Sequence, residues 1–375
     1  MSTELSTFAT RLRDHIAVCA ESFQARPDAE FNELALTLFA LQFQHNAAYR
    51  KICAAKNVQP AAVAYWSEIP AVPTAAFKEL KLTSLAPAER THVFHSSGTT
   101  EQRPSRHFHS AESLAVYETS LLAWFHFHLP QAKPLVLLTP PPGDAPHSSL
   151  VHMFDTIRRN VGAPEHSFLG RMASDLSWTL DFPATIRALE TAGHDNAPVV
   201  ILGTAFSFVH LLDYLAENNL HFRLPKDSRA LETGGYKNRS RVLPKAELHA
   251  LITGRLGIPA KQILCEYGMS ELSSQAYDLE IPNSKFQIPN RSRTFHFPPW
   301  ARAQIISPET GREVAEGETG LIRVFDLANV FSVLAVQTED LAIRRGDGFE
   351  LLGRAEAAEP RGCSLMTAPI IHRKS

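Results

Sequence analysis

Five consecutive residues that suit phosphate binding lie at and after the end of the strand-like run THVFHSSG. They are Ser96, Ser97, Gly98, Thr99 and Thr100. Their hydroxyls and backbone N–H groups could surround phosphate oxygens, although no Gly-Lys-Ser or Gly-Lys-Thr follows at the spacing of a Walker A loop. Taken alone, the cluster is explained more simply as a polar turn between a strand and a helix.

Other strand-like runs end in residues that would complete a nucleotide site. Glu271 offers a carboxylate for Mg²⁺, Asp340 offers an acceptor for ribose hydroxyls, and adjacent glycine and tyrosine residues offer a flat surface for a base. The other residues at these ends are Gly234, Gly235, Tyr236, Tyr267, Gly268, Ser270 and Arg354. No single stretch is specific, but together they favour a nucleoside triphosphate as ligand.

Short aliphatic or β-branched runs from about residue 90 onward supply the strands that would position these residues. The runs are THVFHSSG, PLVLLTPPPGD, APVVILGT and KQILCEYG, and several are followed by helical periodicity. This alternation predicts an α/β fold with a doubly wound parallel sheet, whose ligands bind beyond the carboxyl ends of the strands.

The two ends of the chain differ from this central part. Before it, Phe8, Leu12 and Ile16 recur at helical spacing, which predicts amphipathic helices that pack on a core. After it, ARAQIISPETG, TGLIRVFDL, VLAVQTEDLAI and GFELLGR predict a small β subdomain. The predicted parts are a helical segment at 1–90, an α/β core at 91–290, the β subdomain at 291–353 and a terminal arm at 354–375.

Composition restricts the class of protein. Hydrophobic residues make up 44% and charged residues 20% of the chain, and the formal net charge of −2 provides no electrostatic attraction to nucleic acid. Arg11 and Arg13 interrupt the first apolar run, and no run is long enough to span a membrane, so neither a secretory signal nor a membrane span is expected. The four cysteines lack C-x-x-C spacing, which favours a reducing, cytoplasmic setting.

The order of the motifs resembles that of the adenylate-forming superfamily, which includes the acyl-CoA synthetases. More closely, IPAVPTAAFKELKL, LETGGYKNRSR, EYGMSELSSQAYD, VQTEDLA and LLGRAEAAEPRGCSL resemble the LuxE family of acyl-protein synthetases. The resemblance implies the large N-terminal domain of an adenylate-forming enzyme, without most of the mobile carboxyl-terminal domain. It also implies a ligase that uses ATP and Mg²⁺ to convert a fatty acid to acyl-AMP, with an acyl-CoA reductase-type, LuxC-like protein as partner.

The same resemblance assigns roles to individual residues. Triphosphate contacts map to Ser96, Ser97, Gly98, Thr99 and Thr100, adenine contacts to Gly234, Gly235 and Tyr236, and the phosphate and magnesium end to Ser270 and Glu271. Asp340 maps to the ribose hydroxyls and Arg354 to the ribose or to a hinge.

Three positions near these motifs leave alternatives open. Arg103 and Arg106 replace the lysine common in relatives and could hold phosphate in a bidentate manner, or they could belong to a solvated loop. His147 lies where relatives place a histidine near the acyl pocket, and contact with the substrate is as plausible as its absence.

Cys363 is the candidate nucleophile for a second half-reaction. The neighbouring Arg361 would lower the pKa of its thiol, whereas an isolated cysteine is more often a small buried apolar residue. In the LuxE-like family a cysteine near the carboxyl end carries the acyl group as a thioester, and only a short segment follows Arg354 here. The alternatives are an acyl- or aryl-CoA ligase, in which Cys363 is incidental, and an adenylate-binding protein without activity.

Overall fold

The computed structural model describes residues 3–21, 28–96, 103–130, 134–174, 177–234, 243–278 and 293–355. The helices are α1 (Thr3–Glu21), α2 (Asp28–His45), α3 (Ala47–Ala55), α4 (Ala76–Glu79), α5 (Ala111–His128), α6 (Ser149–Val161), α7 (Phe182–His194), α8 (Ala205–Glu217) and α9 (Lys245–Leu256). The strands are β1 (Val72–Pro73), β2 (His92–His95), β3 (Arg106–His109), β4 (Leu135–Leu137), β5 (Gly170–Met172), β6 (Trp178–Leu180), β7 (Val200–Thr204), β8 (Arg229–Thr233), β9 (Ile263–Tyr267), β10 (Ala276–Tyr277), β11 (Ala301–Ile306), β12 (Thr319–Asp326), β13 (Ala335–Arg345) and β14 (Gly348–Arg354).

A five-stranded sheet in the order β10-β9-β8-β7-β4 forms the centre of the α/β part. Strands β4, β7, β8 and β9 are parallel, and β10 pairs with β9 in the antiparallel direction. All residues of β4, β7 and β9 are buried, as expected for parallel strands covered on both faces by helices. The prediction of an α/β fold with a parallel sheet is confirmed, and three of the four quoted runs form its strands.

The first quoted run, THVFHSSG, is not part of the parallel sheet, and this part of the prediction is wrong. Its strand β2 pairs with β3 in a separate antiparallel hairpin, with Phe94 opposite His107. Phe94 and His107 are buried, whereas Val93 and His95 on the other face are only half-buried. Only one face of this strand is covered, and strands with one exposed face are typical of antiparallel sheets.

A second five-stranded sheet contains β11, β12, β13 and β14 in antiparallel pairs. Strand β1 joins this sheet in parallel with β13. The N-terminal helices also contact it, because the Gln42 side chain accepts a hydrogen bond of 2.8 Å from Leu334 N and donates one of 2.8 Å to Asn329 O. The division of the chain into four parts stays a prediction.

The predicted amphipathic helix at the start of the chain is confirmed. Phe8, Leu12 and Ile16 are all buried on one side of α1. Leu34 and Leu38 of α2 join the same core. These helices extend the hydrophobic core.

Candidate active site

The carboxyl ends of β8 and β9 bring two of the predicted stretches together. Thr233 pairs with Glu266 across these parallel strands, so Gly234 and Tyr267 follow at the same edge of the sheet. A Cβ atom at Gly234 would meet no other atom of the described residues within 4 Å. Within the described part of the chain, this edge therefore leaves space at Gly234 for a flat ligand group.

Gly268 lies one residue beyond β9 and is itself exposed, beside the buried Glu266 side chain. A Cβ atom at this position would overlap Oε1 of Glu266, so glycine leaves room for the buried carboxyl group. Burial raises the pKa of Glu266 to about 7. A hydrogen bond with the Thr233 side chain lowers this pKa, and the charge of Glu232 raises it further. Glu266 is thus a carboxyl that exchanges its proton near neutral pH.

The carboxylate of Glu271 is held by two serine hydroxyls. The Ser105 hydroxyl donates a hydrogen bond to Oε1, and the Ser270 hydroxyl donates one of 3.0 Å to Oε2. The two serine Oγ atoms lie 3.5 Å apart, and all three residues are buried. Hydrogen bonds to both oxygens therefore fix the orientation of the carboxylate group.

The base of the β2–β3 hairpin lies beside this carboxylate. Ser105 N donates to Ser96 Oγ at 3.0 Å, and Ser96 N donates to Ser105 O at 3.4 Å. His107 Nδ1 lies 2.9 Å from the carbonyl oxygen of Ser270, which can only accept, so Nδ1 carries the proton. Burial lowers the pKa of His107 to about 4, so this imidazole is neutral at pH 7. Ser96 is therefore linked to Glu271 through Ser105, and Ser270 contacts Glu271 directly.

The end of β12 and the loop after it anchor the segment that carries Glu271. Asn329 Nδ2 donates to Glu271 O at 3.0 Å, and its Oδ1 accepts from the Ser273 hydroxyl at 2.7 Å. The buried Asp326 accepts bonds of 2.8 Å from the backbone N–H groups of Ser273 and Ser274. The position of Glu271 therefore depends on the second sheet as well as on the first.

Tyr267 and Asp340 connect the two sheets at the predicted nucleotide site. The Tyr267 hydroxyl donates to Asp340 Oδ2 at 2.8 Å, and its ring packs edge-on against Phe349. Burial raises the pKa of Asp340, while the Tyr267 bond and the charge of Arg354 lower it. Asp340 and Arg354 are neighbours in β13 and β14, so the structure brings these three predicted residues together.

The two predicted phosphate-binding arginines are not directed at Glu271. Arg103 Nη1 lies 3.7 Å from Glu79 Oε2, with both side chains exposed. Arg106 donates to Lys78 O at 3.2 Å and lies over the Phe108 ring. Because side chains alternate along a strand, Arg106 lies on the opposite face of the hairpin from His107.

His147 lies on that same outer face of the hairpin. Its Nδ1 is 3.1 Å from Val93 O, and its ring centroid is 4.6 Å from that of His95. It lines a cleft of about 260 Å³ together with residues such as Arg90 and Phe108. The structure does not bring His147 into contact with Glu271 or Asp340.

Several predicted site residues lie outside the described residues. They are Ser97, Gly98, Thr99, Thr100, Gly235, Tyr236 and Cys363. Their assigned roles stay predictions.

Glu271 suits a Mg²⁺ ion that is also bound by a nucleotide. Within the described ranges, no group of three or more His, Cys, Asp or Glu side chains could hold a metal ion. Proteins often bind Mg²⁺ through one or two carboxylates, with substrate phosphates and water as the other ligands. A single buried carboxylate fits that arrangement and does not fit a metal enclosed by protein ligands.

Comparison with known families identifies the chain's relatives. The family model described as "Acyl-protein synthetase, LuxE" matches residues 20–370. The chain belongs to the LuxE family. One LuxE relative is the long-chain-fatty-acid–luciferin-component ligase of Aliivibrio fischeri, 24% identical over 361 residues, which are 91% of this chain and 89% of the relative. The ligase of the same name from Vibrio harveyi is 22% identical over 196 residues, 50% of this chain and 49% of the relative. The predicted family and its class, a ligase, are confirmed.

Solved structures show that this LuxE chain has the fold of adenylate-forming enzymes. An open conformation of 2-hydroxyisobutyryl-CoA ligase, in complex with 2-HIB-AMP and CoA, superposes with a TM-score of 0.65. The two chains are 14% identical, and the match covers 88% of this chain and 76% of the ligase. The predicted fold of the N-terminal domain is therefore confirmed. No helix in the parts that the structure describes has both the length and the apolar character to cross a membrane.

Ser105, Asp326 and Asn329 were not predicted as site residues. Ser105 follows a proline in a polar loop, where serine is common for reasons unrelated to function. Asp326 is the last residue of β12, and Asn329 lies in the loop that follows. The DLAN stretch offered a weak signal, since a polar pair within an apolar run favours buried hydrogen bonds.

Proposed function

We propose that this LuxE chain activates a fatty acid with ATP and then carries the acyl group on Cys363. The observation that carries the proposal is the contact between Ser105 and Glu271, because it joins the base of the hydroxyl-rich segment to the carboxylate at one edge of the sheet. Family membership and the adjacent Tyr267–Asp340 pair support a nucleotide at this edge. ATP and Mg²⁺ are the proposed cofactors.

In the first step, a carboxylate oxygen of the fatty acid attacks the α-phosphorus of ATP. The bond between that phosphorus and the pyrophosphate oxygen breaks, so acyl-AMP and pyrophosphate are the products. Mg²⁺ bound by Glu271 and the phosphates would supply positive charge against the charge of the leaving group. Ser270 and Ser105 keep the Glu271 carboxylate oriented, while Asp340 accepts hydrogen bonds from the ribose hydroxyls.

In the second step, the thiolate of Cys363 attacks the carbonyl carbon of acyl-AMP. The carbon–oxygen bond to the phosphate breaks, AMP leaves, and the thiol proton passes to solvent. The product is an acyl-protein thioester, which activates the acyl group for a later acceptor. We place the protein in the cytoplasm, where such a thiol stays reduced.

The proposed acceptor is a LuxC-like partner of the acyl-CoA reductase type. The two named relatives are ligases for a long-chain fatty acid and a luciferin component, which agrees with a carrier that serves another protein. A thioester suits this task, because a thiol of the partner can take the acyl group by direct exchange. Transfer of label from the acylated chain to an added reductase of this type would support the partner.

The test of the carrier role is to label the protein with radioactive fatty acid in the presence of ATP and Mg²⁺. In the Cys363→Ser variant we expect fatty-acid-dependent pyrophosphate release to continue while hydroxylamine-sensitive labelling is lost. Cys19→Ala is the matched control, because Cys19 is buried in α1, away from the site, and should leave labelling intact.

Other outcomes assign other functions. Labelling that persists in Cys363→Ser excludes Cys363 as carrier. Formation of acyl-CoA at an undiminished rate in the same variant supports a CoA ligase. Nucleotide binding without pyrophosphate release for any fatty acid excludes the activation step.

A further inference from the structure

Ser105 connects three parts of the site through its own atoms. Its backbone N–H donates to Ser96 Oγ at 3.0 Å, its carbonyl oxygen accepts from Ser96 N at 3.4 Å, and its hydroxyl donates to Glu271 Oε1. It lies immediately before β3 and is 1% exposed. A single side chain thus links the hairpin base to a carboxylate on the loop after β9.

The electrostatic setting of Glu271 makes this link significant. Glu271 is 4% exposed, and in the described part of the chain no lysine or arginine forms an ion pair with it. Ser105 and Ser270 each donate a hydrogen bond to one carboxylate oxygen of Glu271. Asn329 Nδ2 donates to the backbone carbonyl oxygen of Glu271 at 3.0 Å. Neutral hydroxyls fix the direction of the carboxylate but do not cancel its charge, so the charge stays available to a cation.

We infer that Ser105 is a positioning residue that orients the Glu271 carboxylate for a divalent cation bound together with ATP. Without the Ser105 hydroxyl, Oε1 loses its donor, and the carboxylate can rotate toward other partners. The affinity for Mg·ATP then falls, whereas the affinity for ATP without the metal does not change. The inference rests on the proposed function, because it deepens the role of the same site.

A merely structural serine would behave differently, and Ser120 provides the comparison. Ser120 is also 1% exposed, and its hydroxyl lies 3.0 Å from Ser274 Oγ and accepts from Trp300 Nε1 at 2.8 Å. It makes no contact with Glu271. Ser120→Ala therefore removes a buried serine hydroxyl of the same kind, with a similar effect on stability.

The experiment measures ATP binding by calorimetry on the full chain, without fatty acid, in Mg²⁺ and in EDTA. For Ser105→Ala we expect about 10-fold weaker binding of ATP in Mg²⁺, the loss typical of one hydrogen bond to a charged group, and no change in EDTA. Ser105→Thr should restore binding, because it keeps the hydroxyl. In turnover, the KM for Mg·ATP should rise by a similar factor, with a smaller change in kcat.

Each outcome bears on the inference. Equal losses in Mg²⁺ and in EDTA, equal losses in Ser105→Ala and Ser120→Ala, or failure of Ser105→Thr to restore binding would overturn it. If the wild type binds Mg·ATP but releases no pyrophosphate with fatty acids, the proposed function fails while the binding comparison still decides the role of Ser105. If the wild type binds no ATP, both fail together.

Discussion

The hydroxyl of Tyr267 donates a hydrogen bond of 2.8 Å to Oδ2 of Asp340, and these two residues belong to different sheets. Tyr267 ends the parallel strand β9, while Asp340 lies within β13 of the antiparallel sheet. The bond therefore joins the sheet that carries the glycine-rich strand end to the sheet that carries the proposed ribose ligand. Its removal should affect nucleotide binding more than folding.

Tyr267→Phe should weaken ATP binding and change its pH dependence. The Tyr267 bond lowers the pKa of Asp340 against the increase caused by burial, so its loss raises the pKa further. Asp340 then ionises only at a higher pH. We expect about 10-fold weaker ATP binding, and the fall in ATP affinity on the acid side should begin at a higher pH than in the wild type. Calorimetric titrations from about pH 5 to about pH 9 would measure this. Tyr65→Phe at an exposed position is the control, and identical pH profiles for both variants would contradict the prediction.

Gly268→Ala should destabilise the fold, whereas Gly234→Ala should not. A methyl group at Gly268 overlaps the buried Glu266 carboxyl group, but one at Gly234 meets no atom of the described residues within 4 Å. We expect a loss of about 1–3 kcal/mol in the free energy of unfolding for Gly268→Ala and less than about 0.5 kcal/mol for Gly234→Ala. Urea denaturation measures both. In the double variant, Glu266→Ala should recover part of the stability lost in Gly268→Ala, because it removes the overlapping carboxyl group. If the two single losses in unfolding free energy simply add, the overlap is not the cause.

Glu266→Gln should remove a pH-dependent loss of stability. Because the folded-state pKa of Glu266 is raised from 4.5 to about 7, its contribution to stability is fully present below about pH 4.5 and is lost as the pH rises toward 7. The total loss is about 3 kcal/mol on the scale of 1.36 kcal/mol for each pKa unit. Glutamine cannot ionise, so the difference in unfolding free energy between wild type and variant should change by this amount across that range.

Buried histidines also change the stability of the fold with pH, so the unfolding free energy of Glu266→Gln must be subtracted from that of the wild type at each pH. Burial lowers the pKa values of His107 and His128 to about 4, so they stabilise the fold above pH 6.5 and lose that contribution as the pH falls toward 4. Their effect is opposite in sign to that of Glu266 and is common to both proteins. A wild-type-minus-variant difference that stays constant with pH would show that Glu266 does not titrate in this range.

Asp278→Asn should cause a large loss of stability. The Asp278 side chain is fully buried and forms ion pairs with Lys245 and Arg293, while its Oδ1 accepts from Cys265 N at 2.7 Å. Asparagine can keep the bond to Cys265 but leaves both cations without their counter-ion, which costs about 3–5 kcal/mol.

The exposed Asp195 provides the control for Asp278. It pairs with His194 at the surface, so Asp195→Asn should change the unfolding free energy by less than about 0.5 kcal/mol. Thermal and urea denaturation of both variants give the comparison. A small loss for Asp278→Asn would mean that the two cations find water or other partners.

The strands of the parallel sheet could be predicted because burial on both faces demands continuous apolar residues. The runs around Val136, Ile201 and Leu264 have this property and form β4, β7 and β9. The run at His92–His95 also precedes a glycine-containing stretch, but histidines flank its two apolar residues, so it is not a continuous apolar run. Its partner β3 comes from the following segment, and local sequence does not state which strand pairs with which.

The residue types at the site were likewise visible in the sequence, whereas their contacts were not. Ser105 and Glu271 are 166 positions apart, and Asn329 and Glu271 are 58 apart. Serine, proline and asparagine are common in loops for conformational reasons, so nothing local separates Ser105 from an ordinary loop residue. Arg106 was predicted to hold phosphate from its charge, but the alternation of β3 directs it to the outer face of the hairpin.

The sequence by itself determined the α/β class, the order of the motifs proposed to bind a nucleotide and membership of the LuxE family, because periodicity and motif chemistry are properties of neighbouring residues. Only the tertiary structure decided that Ser105 and Ser270 orient Glu271, that Tyr267 meets Asp340, and that Glu266 has a pKa of about 7. These features arise from hydrogen bonds and from removal of water between distant segments, and both depend on distances that exist only after the chain has folded.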